Sequence, residues 1–256
     1  MQNDQGKLLY SSTDLTNFLQ CSHLTSLDLI NMETPLVKAA VDEQARLIGE
    51  KGNRHEKAFL QKLKQSGVSI ADLSTVKGGR VNKERETLKA MELGSELIYQ
   101  GALSSGNLTG QADFLKKVKL HTRFGDYGYE VMDAKLAHLP RVEFIIQLCF
   151  YTDLLSEAQG AEPRLIHLIT GDGTEQNFRT ADFLRYYRFV KANFLQKVIS
   201  SPEKTYPDLC NHCSICHWRE ICKGKWIKDD HLNQVARITR NQIKKLQDAG
   251  LIPWKS

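Results

Sequence analysis

The chain has 256 residues, room for one large domain or two small ones with a buried core. Hydrophobic residues make up 41% and charged residues 25%, the balance of an ordinary globular protein, which excludes collagen-like, wholly disordered and membrane-spanning readings. The net charge of +5 is uneven: residues 1–50 hold three basic and seven acidic groups, residues 51–90 ten and four, and residues 217–256 nine and four. Two basic stretches suit contact with a polyanion, although a solvated helix face would look the same. The longest apolar runs fall far short of the roughly 18 residues of a membrane helix. The start, Met1-Gln2-Asn3-Asp4-Gln5, is unlike a secretory signal. A cytoplasmic protein without a membrane partner is expected.

In chain order, Leu15, Phe18, Leu19, Leu27 and Leu29 predict an amphipathic helix over Ser12 to Leu29, with Ser12 or Thr13 as N-cap and Cys21 inside it. A second helix is predicted over Ala39 to Ser66, with Ala45, Ile48, Gly52, His55, Phe59 and Leu63 roughly on one side. Lys77 to Val81 reads as a loop and Asn82 to Leu93 as a helix. Glu96–Leu103, Thr109–Val118 and Tyr129–Leu136 are turn-bounded and read as an antiparallel meander. Arg141–Glu157 reads as a helix, Pro163–Thr170 as a buried strand, and Thr180–Ser200 as a long aromatic-rich helix. The order of elements predicts a mixed α/β sheet. Near the end, Thr239 caps a predicted helix with Ile243 and Leu246 inward and Gly250 as its stop.

Four of the six cysteines crowd into thirteen residues as Cys210-x2-Cys213-x2-Cys216-x5-Cys222. In a reducing compartment such a cluster points to a metal rather than to disulfides, because a two-residue gap lets two thiolates converge on one centre. The spacing suits a 4Fe–4S cluster, while zinc more often takes two separated pairs or histidines. With Cys21, five thiols compete for four positions, and spacing alone does not choose among them. Cys149 lies in an apolar helical stretch and reads as a core residue.

Asp133-Ala134-Lys135, at the end of a predicted strand, is the only place where an acidic residue is followed two positions later by lysine. Period two puts Asp133 and Lys135 on one face, and a hairpin would bring Asp113 alongside. With His55 from the second helix, two carboxylates and an imidazole suit Mg²⁺ or Mn²⁺. Gln147 and Tyr151 stand at i and i+4 and share a helix face. Taken singly, a lone helical histidine or a tyrosine on an apolar face is more often part of the core.

Together, His55, Gly110-Gln111-Ala112-Asp113, Asp133-Ala134-Lys135 and Gln147-x3-Tyr151 resemble the motif series of RecB-type nucleases of the PD-(D/E)XK superfamily. The cysteines, one near the start and a C-x2-C-x5-C group near the end, resemble the iron–sulfur arrangement of Cas4 and AddB nucleases. Closer still is the RecB-like nuclease family of the TM0106 type, which Tyr129 to Ala137, Gln147 to Tyr151, Gln159-Gly160 and Asp229-Asp230-His231-Leu232 resemble. The similarity covers nearly the whole chain.

The resemblance implies a restriction-endonuclease-like mixed sheet flanked by helices, with an iron–sulfur clamp joining the N- and C-terminal segments. It implies a Mg²⁺- or Mn²⁺-dependent deoxyribonuclease, an exonuclease more than an endonuclease, acting on single-stranded DNA or ends. His55, Asp113, Asp133 and the carbonyl of Ala134 would hold the metal, and Lys135 would be the catalytic lysine. Gln147 and Tyr151 would support the site or touch nucleic acid. Cys21, Cys213, Cys216 and Cys222 would bind the 4Fe–4S cluster, leaving Cys210 spare. The nuclease domain would cover 1–228, and 229–256 would begin a helix-hairpin-helix-like tail. Relatives continue into an RNase H-like domain, so such a domain or a helicase is an implied partner. Two alternatives stand beside this one: a non-catalytic nucleic-acid-binding module on the same scaffold, and a zinc-stapled adaptor for protein partners.

Overall fold

The computed structural model describes residues 1–40, 43–199 and 205–250. The expected helix end at Ser200, residues 41–42 of the second predicted helix and residues 251–256 of the expected tail lie outside the described residues. The chain divides into two compact units, Met1–Thr16 with Leu47–Ala192, and Asn17–Arg46 with Asn193–Ser256.

The first helical stretch is two helices, α1 (Ser12–Gln20) and α2 (Ser22–Glu33), not one. Cys21 between them is extended (φ −161°, ψ 109°), so its carbonyl starts α2 by accepting from Leu24 N–H at 3.1 Å. Cysteine carries no breaker signature, and the corner is therefore absent from the periodicity. The cap also shifts by one residue. Ser11 N–H donates to Asp14 Oδ2 at 2.7 Å and Asp14 N–H to Ser11 Oγ at 3.3 Å, a reciprocal box that satisfies two helix-start donors.

The first unit opens with a short antiparallel pair, β1 (Gln2–Asp4) and β2 (Lys7–Leu9), which sequence patterning does not reveal. After α3 (Glu43–Gln65) come β3 (Ile70–Asp72), α4 (Gly79–Glu92), β4 (Leu97–Ser105), β5 (Leu108–Val118) and β6 (Gly128–Ala134). Then follow α5 (Val142–Gln159), β7 (Leu165–Ile169), β8 (Glu175–Arg179) and α6 (Thr180–Ile199). Helix α4 starts at Gly79, three residues before the predicted start. Strands β3 to β8 form one six-stranded mixed sheet in sequence order. The β4–β5–β6 meander is antiparallel as expected, whereas β3 runs parallel to β4 and β6 parallel to β7. Parallel neighbours need a crossover, which α4 and α5 supply.

Phe59, Leu60 and Leu63 of α3 pack on Leu97, Tyr99, Phe114, Met132, Ala134 and Ile169 of the sheet. Helix α5 is buried almost all round, from Ile145 to Leu155, and packs against β4 to β7. Its far end is fixed by Gln159, fully buried, whose Oε1 accepts from Tyr129 N–H at 2.8 Å. Gly160 at φ +74° closes the helix in the left-handed region. Both residues of this motif thus have structural work.

The second unit holds α2, the end of α6, α7 (Arg219–Lys228) and α8 (Arg240–Asp248). Leu24, Leu27, Cys216 and Trp218 form its core, and Asp28 Oδ1 accepts from the buried Trp218 indole at 2.8 Å. Thr239 caps α8 with Gln242 in a reciprocal box, and Gly250 follows at φ +78°, as the sequence predicts. No helix of the described residues is long and apolar enough to cross a membrane.

Candidate active site

Strand β5 places Phe114 opposite Met132 of β6, which sets Asp113 beside Asp133. Asp113 Oδ2 accepts from Ala134 N–H at 3.2 Å. Asp133, only 1% exposed, forms an ion pair with Lys135 at 2.8 Å. Neither Asp133 oxygen has a donor aligned for a hydrogen bond. Burial, then the Asp133 and Glu56 charges, hold the Asp113 carboxyl well above the usual range, with Lys135 working against them. Burial works to lower the Lys135 ammonium, but Asp133 and Asp113 outweigh it and raise its pKa, keeping it charged.

Tyr151 lies on α5, its hydroxyl 3.0 Å from Ser12 Oγ and accepting from Gln147 Nε2 at 3.3 Å. The predicted i, i+4 pair therefore meets. Burial pushes the Tyr151 phenol up, so it remains a neutral donor. Gly110 makes this possible, because a Cβ there would stand 2.5 Å from the Tyr151 ring.

A cleft of about 620 Å³ is lined by Gly52, Asn53 and Glu56 of α3 together with Asp113, Lys135, Arg141 and Phe144. The predicted ligand His55 is half-buried with an unpartnered Nε2, but its neighbour Glu56 is the residue that lines the cleft. Glu56 follows Gly52 by one turn and precedes Leu60 by another, and a carboxylate at that spacing within an apolar stripe was the available signal. Arg141 and Lys135 both approach the Phe144 ring, at 5.9 and 5.6 Å from its centroid, which gathers an aromatic ring and two cations on the cleft wall. Among the described residues, no three His, Cys, Asp or Glu side chains stand in the arrangement of a metal site.

In the second unit all five candidate cysteines line one cavity of about 660 Å³, with Arg219, Lys223 and Arg240 around them. None is in a disulfide. Cys210 is not set apart: its Sγ lies 3.7 Å from Cys213 Sγ. Backbone N–H groups donate to sulfur at Cys213 (from Cys210, 3.4 Å) and at Cys216 (from Trp218, 3.4 Å). Burial first, and crowding by the other thiols, push Cys213 up to about 11 and Cys222 to about 12. Cys149 is a buried core residue of α5. In the Asp229 to Leu232 motif, Asp229 pairs with Lys225 and His231 caps a short 3₁₀ turn, both local structural roles.

No protein-family model and no curated protein matches the sequence. The fold and the site define an α/β protein in which Asp113 and Lys135 face an open cleft, with the buried Asp133 behind them.

Proposed function

We propose that the protein is a metal-dependent nuclease of the RecB-like, restriction-endonuclease-like type, acting on single-stranded DNA or DNA ends. The observation that carries this reading is Asp133: a buried carboxylate set beside Asp113, a second buried acid, and ion-paired with Lys135 at 2.8 Å. Clustered acids cost stability unless a cation joins them. The Asp113 and Asp133 carboxylates and the unpartnered His55 Nε2 are hard and borderline donors that fit Mg²⁺ or Mn²⁺. Asp113, Asp133 and the Ala134 carbonyl would hold the ion, with His55 and Glu56 from α3. Once bound, it supplies Lewis-acid charge at the scissile phosphate.

The chain's own residues do the rest. Lys135 brings a fixed positive charge to where the phosphate gains negative charge. Tyr151, held by Ser12 and Gln147, keeps a neutral hydroxyl near the carboxylates. Phe144, partly exposed on the cleft wall beside Arg141 and Lys135, is the aromatic candidate for contact with an unpaired base. Lys51, Arg54 and Lys57 are exposed on the helix that carries Glu56 and are suited to follow the backbone.

The cysteine cavity supports a 4Fe–4S cluster of structural use. Four thiolates on one centre are stabilised by N–H donors to sulfur, which Cys213 and Cys216 have. The ligand set Cys21, Cys213, Cys216 and Cys222 belongs to this proposal, with Cys210 as the neighbouring fifth thiol.

The test is cleavage of end-labelled single-stranded DNA with Mn²⁺ by anaerobically purified protein, beside Asp133→Ala. Cutting by the wild type alone, in a brown preparation with four irons per chain, is the expected result. A colourless zinc protein would remove the iron–sulfur assignment. No cutting by either protein, with DNA still bound, would favour the non-catalytic binding module.

A further inference from the structure

Strand β4 contains an unusual backbone at Gln100, a non-glycine residue in the left-handed region (φ +58°). The β4–β5 ladder pairs Tyr99 with Phe114 and Gly101 with Ala112 but omits Gln100 and Asp113 between them, so the sheet opens where the first carboxylate sits. A left-handed residue costs stability unless the fold uses it. The side chain shows the use. Lys83 Nζ donates to Gln111 Oε1 at 2.6 Å. Gln111 Nε2 donates to Gln100 Oε1, and Gln100 Nε2 donates to Glu56 Oε1. A lysine can only donate and an ionised carboxylate only accept, so the two ends fix the orientation of both amides.

We propose that Gln100 is a positioning residue that, through this amide chain from Lys83, holds Glu56 toward Asp113 as a further carboxylate of the metal site. The inference rests on the metal-site reading above. Glu56 and Asp113 repel each other, and Glu56 is on a helix edge with a route to solvent. The Gln100 donor on Glu56 Oε1 restrains the carboxylate on the cleft wall, and the left-handed turn at Gln100 aims that donor.

The experiment measures Mn²⁺ affinity by the signal of free Mn²⁺ in electron paramagnetic resonance, with thermal midpoints in parallel, on the full chain. The variants are Gln100→Gly, which relieves the backbone and removes the amide, and Gln100→Asn, which tolerates the left-handed region but is one methylene too short to reach Glu56. Both are expected to weaken Mn²⁺ about tenfold, a typical cost of losing a group that orients a ligand, while the Gly variant melts no lower than wild type. Glu56→Gln should weaken Mn²⁺ at least as much, and Glu56→Gln with Gln100→Gly should be no worse than Glu56→Gln alone, because Gln100 acts through Glu56. Wild-type affinity in both Gln100 variants, or additive losses in the double variant, overturns the proposal while leaving the metal site standing. A wild type that binds no Mn²⁺ overturns the metal reading and this inference with it.

Discussion

Asp113 carries an energetic burden that only its chemistry justifies. Its folded pKa lies above the ordinary 3.8 through burial and the charges of Asp133 and Glu56, so its ionisation opposes folding at neutral pH and the penalty fades as pH falls. Asp113→Asn removes that charge and keeps an oxygen to accept from Ala134 N–H. In metal-free buffer at pH 7 the variant should be more stable to urea by about 1 kcal/mol, with cleavage reduced about 100-fold or more. Lower stability would defeat the electrostatic account. Gly110→Ala acts on the other side of the site. Its methyl must displace the Tyr151 ring, at a cost of about 2 kcal/mol in urea melts; unchanged stability would mean that the ring moves freely. Asp133, Lys135, Gln147 and Tyr151 were legible because strand period two and helix spacing i, i+4 leave marks in a sequence. Gln100 left none, since a left-handed backbone inside a strand has no marker when the residue is glutamine, and Arg141 with Phe144 looked like an ordinary helix start.

At the scale of elements, the central strands were legible from their apolar content, whereas β8 (Glu-Gln-Asn-Phe-Arg) was not. A polar ladder rather than burial holds it. His167 of β7, 3% exposed, sets Nε2 2.8 Å from Glu130 Oε2 of β6, and Nδ1 2.8 Å from Glu175 Oε1 of β8. Lys116 of β5 reaches Glu175 at 3.1 Å. Burial works to lower the His167 pKa, but its carboxylate partners outweigh it and raise it above 6.5. Burial likewise works to raise Glu130, yet His167 and the Leu165 N–H bring it below 4.5. A raised imidazole contributes stability that is complete below 6.5 and lost as pH rises through its folded value. A depressed carboxylate contributes stability that is complete above 4.5 and lost as pH falls through its own. The stability difference between wild type and His167→Gln should therefore peak between pH 4.5 and 6.5, at about 2 kcal/mol, and shrink on both sides. Urea melts across pH check this, and a flat difference would mean that the imidazole is not charged in the fold.

For the molecule as a whole, the sequence supplies the charge totals but not which cations are free. Within residues 51–90, Arg80 is tied to Asp4 and Glu84, and Lys64 to Asp72. Lys51, Arg54, Lys57 and Lys62 of α3 are exposed without an ion-pair partner among the described residues. In the second basic stretch, Arg219 pairs with Glu220, Lys225 with Asp229 and Arg240 with Asp208. For the proposed nuclease, the candidates for following a phosphate backbone are therefore the three or four cations on the helix that bears Glu56. Each phosphate neutralised on a single strand adds about −0.7 to the slope of log affinity against log salt, so a slope of about −2 to −3 is expected. Replacing Lys51, Arg54 and Lys57 together with glutamine should remove about two units of that slope and weaken DNA binding, while cleavage at saturating DNA stays near wild type. A slope near zero, or a triple variant that binds as tightly as wild type at every salt concentration, would make this basic face a solvated surface and put the nucleic acid elsewhere.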